Sequence, residues 1–238
     1  MPVLADGKVF VLEPDIENGI ALGFRIVCYD VVNAAPIWGP IHIRSFHTSG
    51  YLCYDRGTLL VLAVHGTLLA INGETGRVNW TRELGELLFS SPPTVFRGIV
   101  YVLGPESAIA ILTSTGQTVW EWGGNRAYTS SCVVTANGVY ILGACLETWK
   151  LRTTTGKQKW YTSFNCIGGG GEIPVLYEGK LYVRAPLFQP DAKILDPSNG
   201  GVIGTHPGGL APAFADGRGY FVTTDGVLKA VDTDSNEM

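Results

Sequence analysis

Four tryptophans constrain this chain more than any other feature. Trp38, Trp80, Trp120 and Trp160 follow one another at intervals of 42, 40 and 40 residues, and the phrases leading into them are alike. Residues 70–80 read Ala-Ile-Asn-Gly-Glu-Thr-Gly-Arg-Val-Asn-Trp, and residues 110–120 read Ala-Ile-Leu-Thr-Ser-Thr-Gly-Gln-Thr-Val-Trp. Residues 151–160 repeat the pattern as Leu-Arg-Thr-Thr-Thr-Gly-Lys-Gln-Lys-Trp. Degenerate copies run from Cys28-Tyr29-Asp30 to Trp38, from Ile194-Leu195-Asp196 to Gly200-Gly201, and from Ala230 to Asp234. A period of this length marks one supersecondary unit that buries its apolar face only by stacking on copies of itself.

A second phrase precedes each of these: a Gly turn followed by an apolar and aromatic strand. Examples are Gly98-Ile99-Val100-Tyr101-Val102 and Gly179-Lys180-Leu181-Tyr182-Val183, and from residue 57 the turn glycines recur at Gly57, Gly98, Gly138, Gly179 and Gly217. Each unit carries four β signals and no helical stretch; in the third they are residues 91–96, 99–103, 108–113 and 117–122. The Thr-Gly pair supplies positive φ at a turn, and Asn72 or Asp196 can fix that turn by bonding its own backbone two residues on. A Trp opening the fourth strand suits the seam between neighbouring sheets. The reading is an all-β fold, a β-propeller of about six four-stranded antiparallel blades with the last one incomplete. It forms one domain over residues 1–238, with blades at about 1–42, 43–84, 85–124, 125–164, 165–206 and 207–238.

Strand counting adds an expectation about completeness. The first unit begins at its innermost strand, Pro2–Ala5, and the sixth stops before a Trp-bearing outer strand. The chain is therefore expected to be a segment of a seven- or eight-bladed ring, or a ring whose last blade has three strands. A β edge left open in this way favours pairing with another chain.

The phrase Ala-x-Asn/Asp-x-x-Thr-Gly-x-x-x-Trp, after a Gly-x-hydrophobic-Tyr-Val strand, resembles the PQQ-like (quinoprotein-type) propeller repeat. Residues 70–80 match best, with 110–120 and 150–160 following. The absence of a Gly-His…Trp-Asp signature separates the chain from the related Trp-Asp propellers. The family resemblance implies several functions: quinoprotein dehydrogenases, the propeller lipoprotein of outer-membrane protein assembly, and sensor domains fused to enzymes. The dehydrogenase branch, as the resemblance implies it, holds PQQ near a vicinal Cys-Cys ring and a calcium ion. This sequence has no adjacent cysteines, so no catalytic residue carries over. The expected role is a non-catalytic binding or scaffold propeller with no cofactor. A fragment or relative of a PQQ-dependent dehydrogenase, or a sensor domain, is the alternative.

Composition narrows the partners. Charged residues make 16% of the chain and the net charge is −4, without a Lys/Arg cluster, which argues against nucleic acid. No apolar run is long enough for a membrane span. A protein partner is expected instead. Cys28, Cys53, Cys132, Cys145 and Cys166 are scattered singly, a poor disulfide or zinc framework, and read as small apolar residues. That pattern leans toward a reducing compartment while the resemblance leans extracytoplasmic, and the compartment stays open.

Other constellations reduce to packing or solvent. Gly168–Gly171 is followed by a strand start rather than the Lys and helix of a phosphate loop. His42, His47, His65 and His206 lack metal-ligand spacing, and Asp232, Asp234 and Glu237 form a solvated acidic tail. Propeller ligands sit where loops converge at one end, on connections between blades and between strands two and three. By that rule the candidate binding residues are Arg126, Tyr128, Asn165 and His206 in the inter-blade segments, and His65 and Glu106 within blades. Arg126 and Tyr128 lead because a cation and an aromatic beside glycines suit an interaction hot spot.

Overall fold

A computed structural model describes residues 2–44, 49–85, 91–104, 107–124, 131–143, 147–164, 173–184, 192–223 and 225–233. Among these residues all twenty-three regular elements are strands, arranged in six antiparallel sheets. The first blade contains β1 (Val3–Ala5), β2 (Lys8–Glu17), β3 (Ile20–Asp30) and β4 (Pro36–Arg44). The second contains β5 (Gly50–Asp55), β6 (Thr58–Ala63), β7 (Thr67–Asn72) and β8 (Val78–Glu83), and the third β9 (Thr94–Phe96), β10 (Ile99–Leu103), β11 (Ser107–Leu112) and β12 (Thr118–Gly123). The fourth is built from β13 (Val133–Thr135), β14 (Gly138–Leu142), β15 (Thr148–Leu151) and β16 (Gln158–Thr162). The fifth has β17 (Val175–Tyr177), β18 (Lys180–Val183), β19 (Ala192–Leu195) and β20 (Val202–His206). The sixth has β21 (Ala213–Ala215), β22 (Arg218–Val222) and β23 (Leu228–Asp232), three strands among the described residues. This is the β-propeller architecture expected from the repeat. The chain forms two compact units, Met1–Glu121 and Trp122–Met238.

Two-residue hairpins close the first two strands of most blades. Asp6-Gly7, Arg56-Gly57, Arg97-Gly98, Glu178-Gly179 and Asp216-Gly217 all hold positive φ at both positions, the type I′ geometry that matches strand twist. Blade 4 departs from the expected pattern. There Thr135 pairs with Gly138, so Ala136-Asn137 makes the turn and Gly138 is a buried strand residue rather than the turn glycine. Blade 1 also differs: β2 and β3 run to 10 and 11 residues and meet at Asn18-Gly19, again with positive φ at both positions.

In unit 1, β6 is apolar on both faces because both faces are covered. Leu59, Val61 and Ala63 join Phe10, Cys28 and Ile71 in the core between blades 1 and 2. Leu60 and Leu62 join Leu68, Val100, Val102 and Ile111 between blades 2 and 3. In unit 2, Tyr140 and Leu142 pack with Leu181 and Val183, while Tyr182 turns the other way onto Phe221. Each large side chain so buried contributes about 1.5–3 kcal/mol.

The seams are locked by the tryptophans. Trp38 Nε1–H donates to Gly73 O at 2.9 Å, Trp80 to Thr113 O at 2.9 Å, and Trp160 to Pro197 O at 3.2 Å. Each acceptor lies in the next blade's turn between strands three and four. These three turns carry Gly76, Gly116 and Gly200, and the corresponding turn of blade 4 carries Gly156, all at positive φ. Asn72 Oδ1 accepts from Glu74 N and Thr75 N, and Asp196 Oδ1 from Ser198 N, so the expected side-chain fixation of the turn is present.

Candidate functional site

In an antiparallel four-stranded blade the hairpin between strands one and two and the turn between three and four leave from one end. The loop between two and three and the link to the next blade leave from the other. The sequence reading placed its candidates at the second end. His65 lies in the turn between β6 and β7, where its Nε2 stands 3.0 Å from Thr67 Oγ1, itself bonded to Glu83. His206 is the last residue of β20 rather than a loop residue, and it is 2% exposed. Its Nε2 stands 3.2 Å from Val183 O, Nδ1 has no hydrogen-bond partner among the described residues, and Tyr182 and Phe221 flank the ring. Burial pushes the imidazole down to about 4, so the ring is neutral near pH 7. Glu106, Arg126, Tyr128 and Asn165 lie outside the described residues, as do His47, Cys145, Cys166 and Gly168–Gly171.

A different site stands out at the first end of unit 2, between blades 4 and 5. An open cleft of about 470 Å³ is lined by Asn137, Tyr140, Lys150, Lys159, Pro197 and Ser198. None of the six was singled out from sequence. Lys150 is the unusual member. It sits on β15 opposite Tyr140 and Trp160. The same register position holds Cys28 opposite Phe10 and Trp38 in blade 1, and Ala70 opposite Leu60 and Trp80 in blade 2. Those two blades place a small residue there and blade 5 places Ile194, opposite Tyr182 and Gly204, whereas blade 4 places a lysine.

Gly138 makes room for that lysine. A Cβ at Gly138 would stand 2.7 Å from Lys150 Cε and 3.0 Å from Cγ. The lysine stem thus crosses the glycine and carries the ammonium to the next blade's turn. Nζ donates to Pro197 O at 2.8 Å and lies 5.2 Å from the Tyr140 ring centroid. Trp160 Nε1 and the Tyr140 hydroxyl donate to the same carbonyl. Partial burial lowers the Lys150 pKa, opposed by the nearby Asp196 carboxylate. Asp196 is held below the usual carboxylate range by hydrogen bonds from Ser198, with Asn199 adding to them. Burial likewise raises the Tyr140 phenol. Among the described residues no three His, Cys, Asp or Glu side chains gather as a metal site.

The blades and the Trp seams define a β-propeller. The sequence profile described as outer membrane protein assembly factor BamB matches residues 23–165, more than half the chain, and the chain belongs to that family. No curated protein sequence matches it. Among solved structures, BamB from Moraxella catarrhalis is similar, with 17% identity, a TM-score of 0.65, and 94% of this chain covering 78% of that one. The computationally designed protein Ika8 shares 14% identity at a TM-score of 0.75, with 96% and 69% covered. A quinohemoprotein alcohol dehydrogenase from Comamonas testosteroni shares 17% identity at a TM-score of 0.63; 99% of this chain spans 46% of that enzyme. At these identities the likeness is one of fold.

Proposed function

We propose that this chain is a non-catalytic binding propeller, a scaffold that presents its loop end to a protein partner. Membership of the family of the outer membrane protein assembly factor BamB carries the reading. The fold is consistent with it: the Trp seams spend their polar groups on holding blades together, which leaves the connecting loops free to vary around a rigid frame. Arg126 and Tyr128 remain the candidates for the hot spot, and Asn165, Glu106 and His65 remain further candidate binding residues. The dehydrogenase alternative draws on structures that this chain resembles in fold and spans by half or less.

The two readings part in one titration. PQQ and calcium are added to the purified chain and the visible absorbance followed, with dye-linked alcohol oxidation measured in parallel. The binding reading expects neither a bound quinone chromophore nor dye reduction. A stoichiometric chromophore with alcohol-dependent turnover would replace it by the dehydrogenase reading.

A further inference from the structure

The seam between blades 1 and 2 meets a partly covered cation with a carboxylate. Lys8 is the first residue of β2, and its Nζ meets Glu74 Oε1 at 2.7 Å. Glu74 belongs to the next blade's turn, two residues past Asn72. The seam between blades 4 and 5 repeats this frame with the cation moved to another strand and the carboxylate replaced. Gly138, first residue of β14, stands where Lys8 stands, since Ala5 pairs with Lys8 as Thr135 pairs with Gly138. Lys150 crosses that glycine and delivers an ammonium from the adjacent strand. In the receiving turn Asp196 matches Asn72 and Pro197 matches Gly73, as their equivalent tryptophan bonds show. Ser198 therefore occupies the place of Glu74. The cation is retained and the carboxylate that would meet it is not.

We propose that the cleft between blades 4 and 5 binds a small carboxylate-bearing molecule, whose carboxylate takes the place that Glu74 fills beside Lys8. Lys150 supplies the charge-assisted hydrogen bond. One of its three N–H groups is committed to Pro197 O, and no carboxylate among the described residues lies within 4 Å of it in an ion pair. Asp196 is the carboxylate whose charge reaches Lys150, and it is held in its own turn by Ser198 N at 2.7 Å and Asn199 Nδ2 at 3.0 Å. Lys159 adds a second, exposed cation on the rim, and Asn137 offers an amide, while Tyr140 forms an apolar wall. A dicarboxylate reaching from Lys150 to Lys159 is the best-matched probe. Because Lys150 is partly desolvated, an incoming anion restores the stabilisation that its ammonium lost on burial.

The site goes beyond the partner reading and lies at the opposite end of these two blades from the loops, so either can fail alone. The test follows backbone amide resonances of Asn137, Lys150 and Ser198 during titration with succinate, with sodium chloride added to hold ionic strength constant. Saturable shifts at all three are expected. Lys150→Met, which keeps the stem, is expected to weaken binding at least tenfold. Ser198→Glu restores in blade 5 the residue present at Glu74 and is expected to abolish the titration in a protein that remains folded. Inorganic phosphate and an acidic peptide are run as parallel arms. Succinate giving no saturation, equal affinity in Lys150→Met, or saturation by phosphate or peptide alone would each overturn the assignment.

Discussion

Trp80 and Gly116 form a single contact across the second seam. The indole donates to Thr113 O at 2.9 Å, and a Cβ built on Gly116 would stand 3.0 Å from Trp80 Cδ2. The pairing recurs: a Cβ would stand 2.8 Å from Trp38 at Gly76, and 2.7 Å from Trp160 Cε3 at Gly200. The glycine is needed twice over, for positive φ and for the ring above it. Residues two beyond the tryptophans finish the joint, with Arg82 Nη1 donating to Gly116 O and Thr162 Oγ1 to Gly200 O.

These two demands can be separated by comparison with Gly57. Its φ is +81, but a Cβ there meets nothing within 4 Å. Gly57→Ala is therefore expected to cost about 1–2 kcal/mol from backbone strain alone. Gly116→Ala, at φ +74, adds displacement of the indole and is expected to cost clearly more, about 2–4 kcal/mol. Urea midpoints of the two variants measure this; equal losses would show that the ring contact has no weight.

The tryptophans themselves should rank by burial. Trp120 is 7% exposed and lies 5.8 Å from Tyr101, whereas Trp80 is only half-buried. Trp120→Ala is expected to cost about 3–5 kcal/mol. Trp80→Phe removes one donor and part of the ring and should cost about 1–3 kcal/mol. A smaller loss for Trp120→Ala than for Trp80→Phe contradicts the seam as described.

His206 gives the fold an acid-sensitive point. Its pKa falls from 6.5 to about 4 on folding, through burial. Between those values the unfolded chain binds a proton that the folded chain refuses, so stability falls as pH falls. The loss is absent above about pH 7 and complete below about pH 4, reaching about 3 kcal/mol. His206→Gln removes this contribution. Denaturation at pH 7 and at pH 4.5 should show a smaller difference in the variant than in the parent, and identical differences would reject the assignment.

Cys53 should be chemically quiet. Burial pushes its thiol up to about 12, far above the range in which a thiolate attacks. Iodoacetamide at pH 8, followed by mapping of the labelled peptides, is expected to leave Cys53 unmodified in the folded protein and modify it in urea. Rapid native labelling at this half-buried thiol would contradict its raised pKa.

The repeat was legible because each of its letters answers a local demand. Thr-Gly marks positive φ, Asn72 and Asp196 mark a side-chain-fixed turn, and the Trp marks a seam; spacing alone then yields sheets. Gly138 misled because a glycine beside a turn looks the same whether it bends the chain or clears space, and only the register shows that Ala136-Asn137 bends it. Lys150 was invisible for a related reason. It is an ordinary lysine in an ordinary strand until the blades are superposed and Ala70 and Cys28 appear at its position. The Asn18-Gly19 hairpin was legible and overlooked: Asn-Gly between β segments is a strong short-range turn signal. His206 read as a loop residue because Pro207-Gly208 follows it, yet the strand ends after the histidine and buries it.

The proposed role turns on whether the loop end meets a protein. The direct measurement replaces Tyr128 with a photocrosslinking amino acid, in the full-length gene product expressed in its native cells, with the same replacement at Glu178 in the opposite-end hairpin of blade 5 as control. The account predicts one discrete crosslinked protein from position 128, reduced when Arg126 is changed to alanine, and none from position 178. No adduct from position 128, or the same adducts from both positions, would contradict it.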